Sequence, residues 1–212
     1  GSGFEEALAS GATSERDELA LTYGTSPERI ADGGSEVGWG DEPPGWLTPL
    51  TAIPLAPDLL RFAVGLLFLL IFGRTVEARV GGPVLLALAV AGAFAGAALL
   101  GAIASDESGL ALGIGSALCA VLGAYAVLHP RAGVISLTLI PFFSTLVEVP
   151  ALALIATWFL IALLPTVGPL VDPNLLLGGE LQLAGFAAAF VVGIAAGLLA
   201  RRLPLRTSEA TS

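Results

Sequence analysis

Lysine and methionine are absent from this 212-residue chain, and cysteine and histidine occur once each. All nine basic residues are arginine, set against eighteen acids for a net charge of −9. With so few cations and no dense cluster of them, the chain cannot neutralise a run of phosphates, which excludes nucleic acid as a partner class. The lone Cys119 lies in an apolar stretch, so no intrachain disulfide can form, and the residue reads as a small core side chain. Cys119 and His129 stand ten positions apart on one predicted helix, too far for joint ligation, so neither a metal site nor a cofactor is expected. Charge is scarce altogether: 13% of residues are charged, 55% are hydrophobic and the mean hydropathy is +0.87. No soluble domain of this length needs so much apolar material for its core, so the chain is read as a membrane protein whose first partner is the lipid bilayer.

Polarity is concentrated at the start. Residues 1–50 hold ten acids, from Glu5 to Glu42, against Arg16 and Arg29, and read as an extramembrane region. The chain opens on Gly1-Ser2-Gly3 rather than methionine, which leaves room for an upstream segment. A spanning helix needs roughly 20 mostly apolar residues. Four stretches qualify: Gly82 to Ala104, Gly109 to Leu128, Val149 to Leu170, and Leu181 to Ala200. A fifth, Leu59 to Gly73, is short and spans only if it starts near Pro57 with Arg61 snorkelling toward the outer interface.

Loop charge decides the number of crossings. With five spans, Arg74, Arg79, His129, Arg131, Arg201, Arg202 and Arg206 share one side, which the positive-inside rule makes the cytoplasm. The acidic N-terminal region, Asp106, Glu107, Asp172 and Glu180 fall on the other. A sixth crossing through Ala132 to Val147 would put the C-terminal arginines outside, so that stretch, broken by Pro141, reads as a connection at the cytoplasmic interface. The expectation is an all-α, polytopic helix bundle in the cell membrane. Residues 1–57 form an acidic extracytoplasmic segment, 58–200 the transmembrane domain and 201–212 a cytoplasmic tail. Small residues at four-residue spacing, Gly92 and Gly96, then Gly185, Ala189, Gly193 and Gly197, predict close helix contacts with the last span central.

Several strings carry a family resemblance. Leu69-Leu70-Ile71-Phe72-Gly73-Arg74-Thr75-Val76-Glu77 looks like the FxxIFGRxVE exit from the second helix of the rhomboid intramembrane proteases. Gly113 to Tyr125, continuing through His129-Pro130-Arg131-Ala132, is similar to that family's helix four. Val147-Glu148-Val149-Pro150-Ala151 and Trp158-Phe159 resemble the elements around helix five, and Gly185-Phe186 falls in helix six. The resemblance implies a rhomboid-like fold over roughly residues 45–200, with the five spans corresponding to helices two to six. Helix one is missing, which fits a chain clipped upstream. Trp46 stands where the family's outer loop has a WR motif, but Leu47 follows it. Arginine without lysine, in an acidic chain, resembles proteins of salt-loving archaea and suggests a haloarchaeal-type member.

The resemblance also implies a serine on helix four and a histidine on helix six, close enough for imidazole to take the hydroxyl proton. Here the nucleophile position is Gly115, and Ser116 is displaced by one residue, which turns a helical side chain by about 100°. The histidine position is Gln182, whose amide is no general base. The oxyanion positions fall on Arg61 and Gly65. His129 lies thirteen residues after Ser116 along the same helix, about 20 Å away. A carboxylate, Glu180 or Asp172, is the remaining candidate base. Without one, Ser116 reads as a hydroxyl bonded back to a carbonyl one turn earlier, and Gln182 as interhelical glue.

No catalytic residue is therefore expected. The leading reading is a rhomboid-like pseudoprotease that binds transmembrane segments of client proteins beside helix five, as inactive members of the superfamily do. The alternatives are an active intramembrane serine endopeptidase with rearranged site residues, or a truncated relic without activity.

Overall fold

Helix-start signals operate inside the acidic segment. The computed structural model describes residues 15–31, 43–55, 58–107, 109–111, 114–130, 133–140, 143–162 and 176–202. Helix α1 covers Glu15–Tyr23 and α2 Pro27–Ala31. Ser26 Oγ accepts a hydrogen bond from the Arg29 amide at 3.3 Å, and Pro27 supplies a φ already fixed for a first helical turn. Beyond the turn Gly45–Leu47 comes α3, Thr48–Thr51. Arg29 ties these pieces together: its guanidinium donates to the carbonyls of Leu21 and Thr22 at 3.1 Å, Gly24 at 3.4 Å and Pro43 at 3.1 Å.

The membrane bundle starts at Asp58. Its backbone is extended and its carboxylate accepts from the Arg61 amide at 2.6 Å, satisfying one of the N–H groups that a first helical turn leaves open. The helix that follows, α4, runs Leu59–Val80, seven residues past the expected stop at Gly73. It passes through a wide π turn at Leu69–Gly73 and continues as α-helix over Arg74–Val80. Gly81 then reverses the chain in a single residue at φ 89° and ψ 154°, a conformation open in practice only to glycine. Helix α5 is Gly82–Ile103, as expected.

Helix α6 is Gly115–Leu128, only 14 residues, because residues 109–111 are extended and bridged to neighbouring segments rather than helical. The stretch expected as a simple connection forms a hairpin instead, β1 Gly133–Ile140 against β2 Phe143–Pro150, antiparallel with Gly133 opposite Pro150. Helix α7 accordingly starts at Ala151 and runs to Ala162; the rest of the expected span, 163–170, lies outside the described residues. Helix α8 is Gly179–Arg202. Among the described residues, the regular elements apart from the hairpin and two isolated bridges are helical. Among the described residues three helices, α4, α5 and α8, are long and apolar enough to cross a membrane, and α6 and α7 are shorter apolar helices.

Helices α5, α6 and α8 meet on backbone. A Cβ on Gly193 would run into the Ala120 carbonyl, and one on Gly123 into the Phe190 carbonyl. One on Gly197 would lie 3.0 Å from the Ala124 carbonyl oxygen. Gly185, Ala189, Gly193 and Gly197 are all buried, so the expected small-residue ridge is the central seam. Around it Phe72, Val76, Leu118, Val121, Leu122 and Cys119 are fully enclosed. An aromatic file links the helices, Trp158 to Phe68 at 5.7 Å, Phe68 to Phe72 at 5.6 Å, Phe72 to Tyr125 at 4.7 Å and Tyr125 to His129 at 5.2 Å between ring centroids. Helix α7 joins mainly through Ile155 and Trp158, while Leu152 and Leu160 stay 58% and 62% exposed, as lipid-facing positions do.

The two ends of the bundle differ. Arg79 acts electrostatically on His129 at the C-terminal ends of α4 and α6. Gly197 packs on Val127, which brings Arg201 and Arg202 of the last α8 turn to the same end. At the opposite end Ile30 of α2 lies against Gly101 of α5, so part of the acidic segment folds back onto the bundle.

Candidate functional site

Helix α6 begins at Gly115 without a side-chain cap, where the chain leaves the extended stretch 109–111. A Cβ at 115 would enter the space of the far end of the Phe186 ring, which would have to swing aside. That ring comes from α8, one turn beyond Gln182, so the two side chains share a helix face. Ser116 points elsewhere, toward Gly96 of α5, whose added Cβ would lie 2.6 Å from the Ser116 hydroxyl oxygen.

Ser116, Gln182 and Phe186 nevertheless line one cavity of about 40 Å³, walled on the α5 side by Ala93, Ala97 and Leu100. That volume has room for a few water molecules. Its roof comes from outside the bundle core: Thr25 from the acidic segment, Pro49 of α3, Ala52 just after it, and Ala111. Thr25 and Ala111 form an antiparallel bridge, with the Ala111 amide donating to the Thr25 carbonyl at 2.7 Å and the Thr25 amide to the Ala111 carbonyl at 3.4 Å. On the other side of this strand the Leu177 amide donates to the Leu110 carbonyl at 2.9 Å. Thr25 is only 4% exposed, and its hydroxyl oxygen is buried without a hydrogen-bond partner.

Among the described lining residues, the polar groups are two hydroxyls and a carboxamide, and none is titratable. Such a site can donate and accept hydrogen bonds, as toward water or a peptide amide. Among the described lining residues, none takes a proton from Ser116 near neutral pH. His129 follows the last residue of α6, at the arginine-bearing end of the bundle. Burial holds its imidazole below the ordinary pKa, with the Arg79 charge a smaller cause. Glu180 is exposed in the first turn of α8 and does not line the cavity, while Asp172 lies outside the described residues, as do the positions one turn before Ser116.

The two positions expected for the oxyanion side chains, Arg61 and Gly65, are packed against neighbours. Arg61 is half-buried, pairs with Asp58 at 3.5 Å and is not among the cavity's described lining residues. Gly65 is closed off by neighbours: a Cβ there would lie 2.8 Å from Ile114 Cγ2 and 3.3 Å from Trp158 Cη2. Trp46 is 59% exposed. Sequence reasoning missed Thr25, Pro49, Ala52 and Ala111, which carry no motif and reach the cavity only through the fold. Phe186 was findable, since it stands four residues after Gln182 on the same helix.

Fold and cavity define a polytopic helical membrane protein with a small, mostly apolar pocket at one end of its bundle that carries three neutral polar side chains among its described lining residues. The Rhomboid domain family model matches residues 44–203, three quarters of the chain, and the chain belongs to the rhomboid family. Comparison with curated proteins gave no match, and comparison with solved structures gave none either.

Proposed function

We propose that this rhomboid-family protein is a pseudoprotease, one that binds transmembrane segments of client proteins without cleaving them. The observation that supports the reading is the cavity lining: the expected nucleophile position is a glycine under the Phe186 ring, and Ser116 shares its pocket with a carboxamide and, among the described lining residues, no base. Sparse packing of α7 supports a client site along that helix, where Leu152 and Leu160 are exposed. The same reading puts the acidic segment 1–57 outside the cell, the transmembrane domain at 58–200 and the tail 201–212 in the cytoplasm. Its orientation rests on Arg79, His129, Arg201 and Arg202 sharing one end. The all-arginine, acidic composition suits a haloarchaeal origin.

One second reading has an observation behind it. Ser116 does face the cavity that Gln182 faces, so a Ser116-dependent peptidase would need only a base from beyond the described lining. A fluorophosphonate probe separates the two. Wild type in detergent is expected to stay unlabelled, and Gly115→Ser with Gln182→His and Phe186→Ala is expected to gain label. Labelling of wild type that vanishes in Ser116→Ala overturns the pseudoprotease reading. Client binding is read by a photo-crosslinking residue at Leu160, expected to trap a single-spanning peptide in the same bilayer. Equal yield from a surface position such as Trp46 would refute a site along α7.

A further inference from the structure

The hairpin of β1 and β2 is an apolar element with little protein to lie against. Each strand has eight residues, and Glu148 alone among them is charged. Among the described residues no third strand extends the sheet. Of the helices only α7, which follows β2 without a break, packs on the hairpin more than marginally. A lone two-stranded hairpin is marginal at best in water, so this one needs an apolar surface to rest on.

Its place in the fold points to that surface. Strand β1 starts four residues after His129, which shares one end of the bundle with Arg79, Arg201 and Arg202. Gly133 pairs with Pro150, so both ends of the hairpin meet the spanning helices at that same boundary. From there the strands reach about 26 Å, at roughly 3.3 Å per residue. They cannot pass into the hydrocarbon, because an open two-stranded sheet would carry unpaired amides and carbonyls along both outer edges into lipid. Lying along the boundary, the same edges meet headgroups and water while one face meets acyl chains. The register supplies such a face over the middle of the hairpin, a stretch too short to declare a strand by itself. Alternation puts Leu137, Leu139 and Leu146 on one face and Ser136, Thr138 and Thr145 on the other. At the ends the faces mix, with Glu148 on the leucine face at the root and Ile140 and Phe143 on the hydroxyl face at the tip.

We propose that the hairpin is a membrane-surface anchor. It lies flat in the leaflet at the arginine-bearing end of the bundle, with the face of Leu137, Leu139 and Leu146 toward the acyl chains and that of Ser136, Thr138 and Thr145 toward headgroups and water. Because Pro150 leads straight into Ala151, the depth of the hairpin also sets the depth at which α7 starts. The anchor goes beyond the pseudoprotease reading and does not depend on it.

Site-directed spin labelling tests it on the full chain. Single cysteines at positions 136–139, 145 and 146, with Cys119→Ala, carry a nitroxide in vesicles of phosphatidylcholine and phosphatidylglycerol. Collision with oxygen, which partitions into lipid, and with a water-soluble nickel chelate is read at each position. Oxygen is expected to dominate at 137, 139 and 146 and the chelate at 136, 138 and 145, so that the order reverses at every step along β1. A parallel set retains Cys119, which is fully enclosed, and gives the same reading if Cys119→Ala fails to fold. Dominance of the chelate at all six positions would put the hairpin in water and overturn the anchor. Protection from both reagents at all six would reveal a protein neighbour, such as a second copy, and would overturn it as well.

Discussion

A methyl group added at Gly115 tests the packing on which the site reading depends. In Gly115→Ala the new Cβ enters the space of the Phe186 ring. The obstacle is the far end of a side chain, so the ring swings rather than the helices separating, and the cost is that of local overpacking, about 1–3 kcal/mol. Phe186→Ala removes the ring. Phe186 is half-buried and its contact with Trp158 is loose, 6.5 Å between ring centroids, so the loss falls below that of a fully enclosed phenylalanine, about 2 kcal/mol. With the ring gone, the alanine at 115 has nothing to strike. The double variant should then cost about 2 kcal/mol, less than the sum of its parts by roughly the strain of the first substitution. Unfolding of all four proteins by detergent titration in mixed micelles, followed by tryptophan fluorescence, gives the cycle. Additivity within about 0.5 kcal/mol would show that residues 115 and 186 do not touch, and would remove the steric argument against a nucleophile at 115.

Other outcomes follow from the same geometry. Gly193→Ala drives a Cβ into a backbone carbonyl that cannot rotate away, so its destabilisation should reach or exceed the upper end of about 1–3 kcal/mol and should not be relieved by trimming any side chain. At the α4–α5 turn, Gly81→Ala should cost about 1–3 kcal/mol through backbone strain alone, measurable in the same titration, whereas Ala78→Gly nearby should not mimic it. Asp58→Ala should lose about 1–2 kcal/mol of helix capping, while Asp58→Asn, which keeps an acceptor for the Arg61 amide, should lose less. His129 is held neutral in the folded state, so the unfolded chain takes up its proton first as the pH falls below about 6.5; stability should decline from there until the folded protein also titrates. Comparing wild type with His129→Gln at about pH 7.5 and 5.5 checks this, the variant showing the smaller loss.

Much of the bundle was legible because lipid leaves few alternatives. Apolar length marked α5 and α8, and the glycine spacing marked the seam, since only small residues let backbones meet. The end of α4 was misread: Arg74 and Glu77 look like a loop by hydropathy, but a helix can carry charges beyond its apolar stretch. The start of α6 was misread for the opposite reason. Residues 109–111 are apolar enough to be helical, yet their backbone groups are bonded to Thr25 and Leu177, partners remote in sequence. The hairpin at 133–150 was hidden because an apolar run of that length carries no periodicity that separates strand from helix. Within the site, positions 115, 116, 182, 61 and 65 were named as candidates from motif register alone. What fills them, the Phe186 ring, the Asp58 pair and Trp158, is tertiary information.

The seam of α5, α6 and α8 has a thermodynamic side. Packing helices on leucine or methionine freezes rotamers, at roughly 0.5–2 kcal/mol per residue, whereas glycine and alanine have no rotamers to lose. Contacts such as Gly193 on Ala120 between α8 and α6, and Gly96 on Gly185 between α5 and α8, therefore assemble three helices with almost no loss of side-chain freedom. The bundle's association should accordingly be driven by enthalpy of close atomic contact, and should weaken on heating less steeply than a bundle of the same size zipped by long side chains.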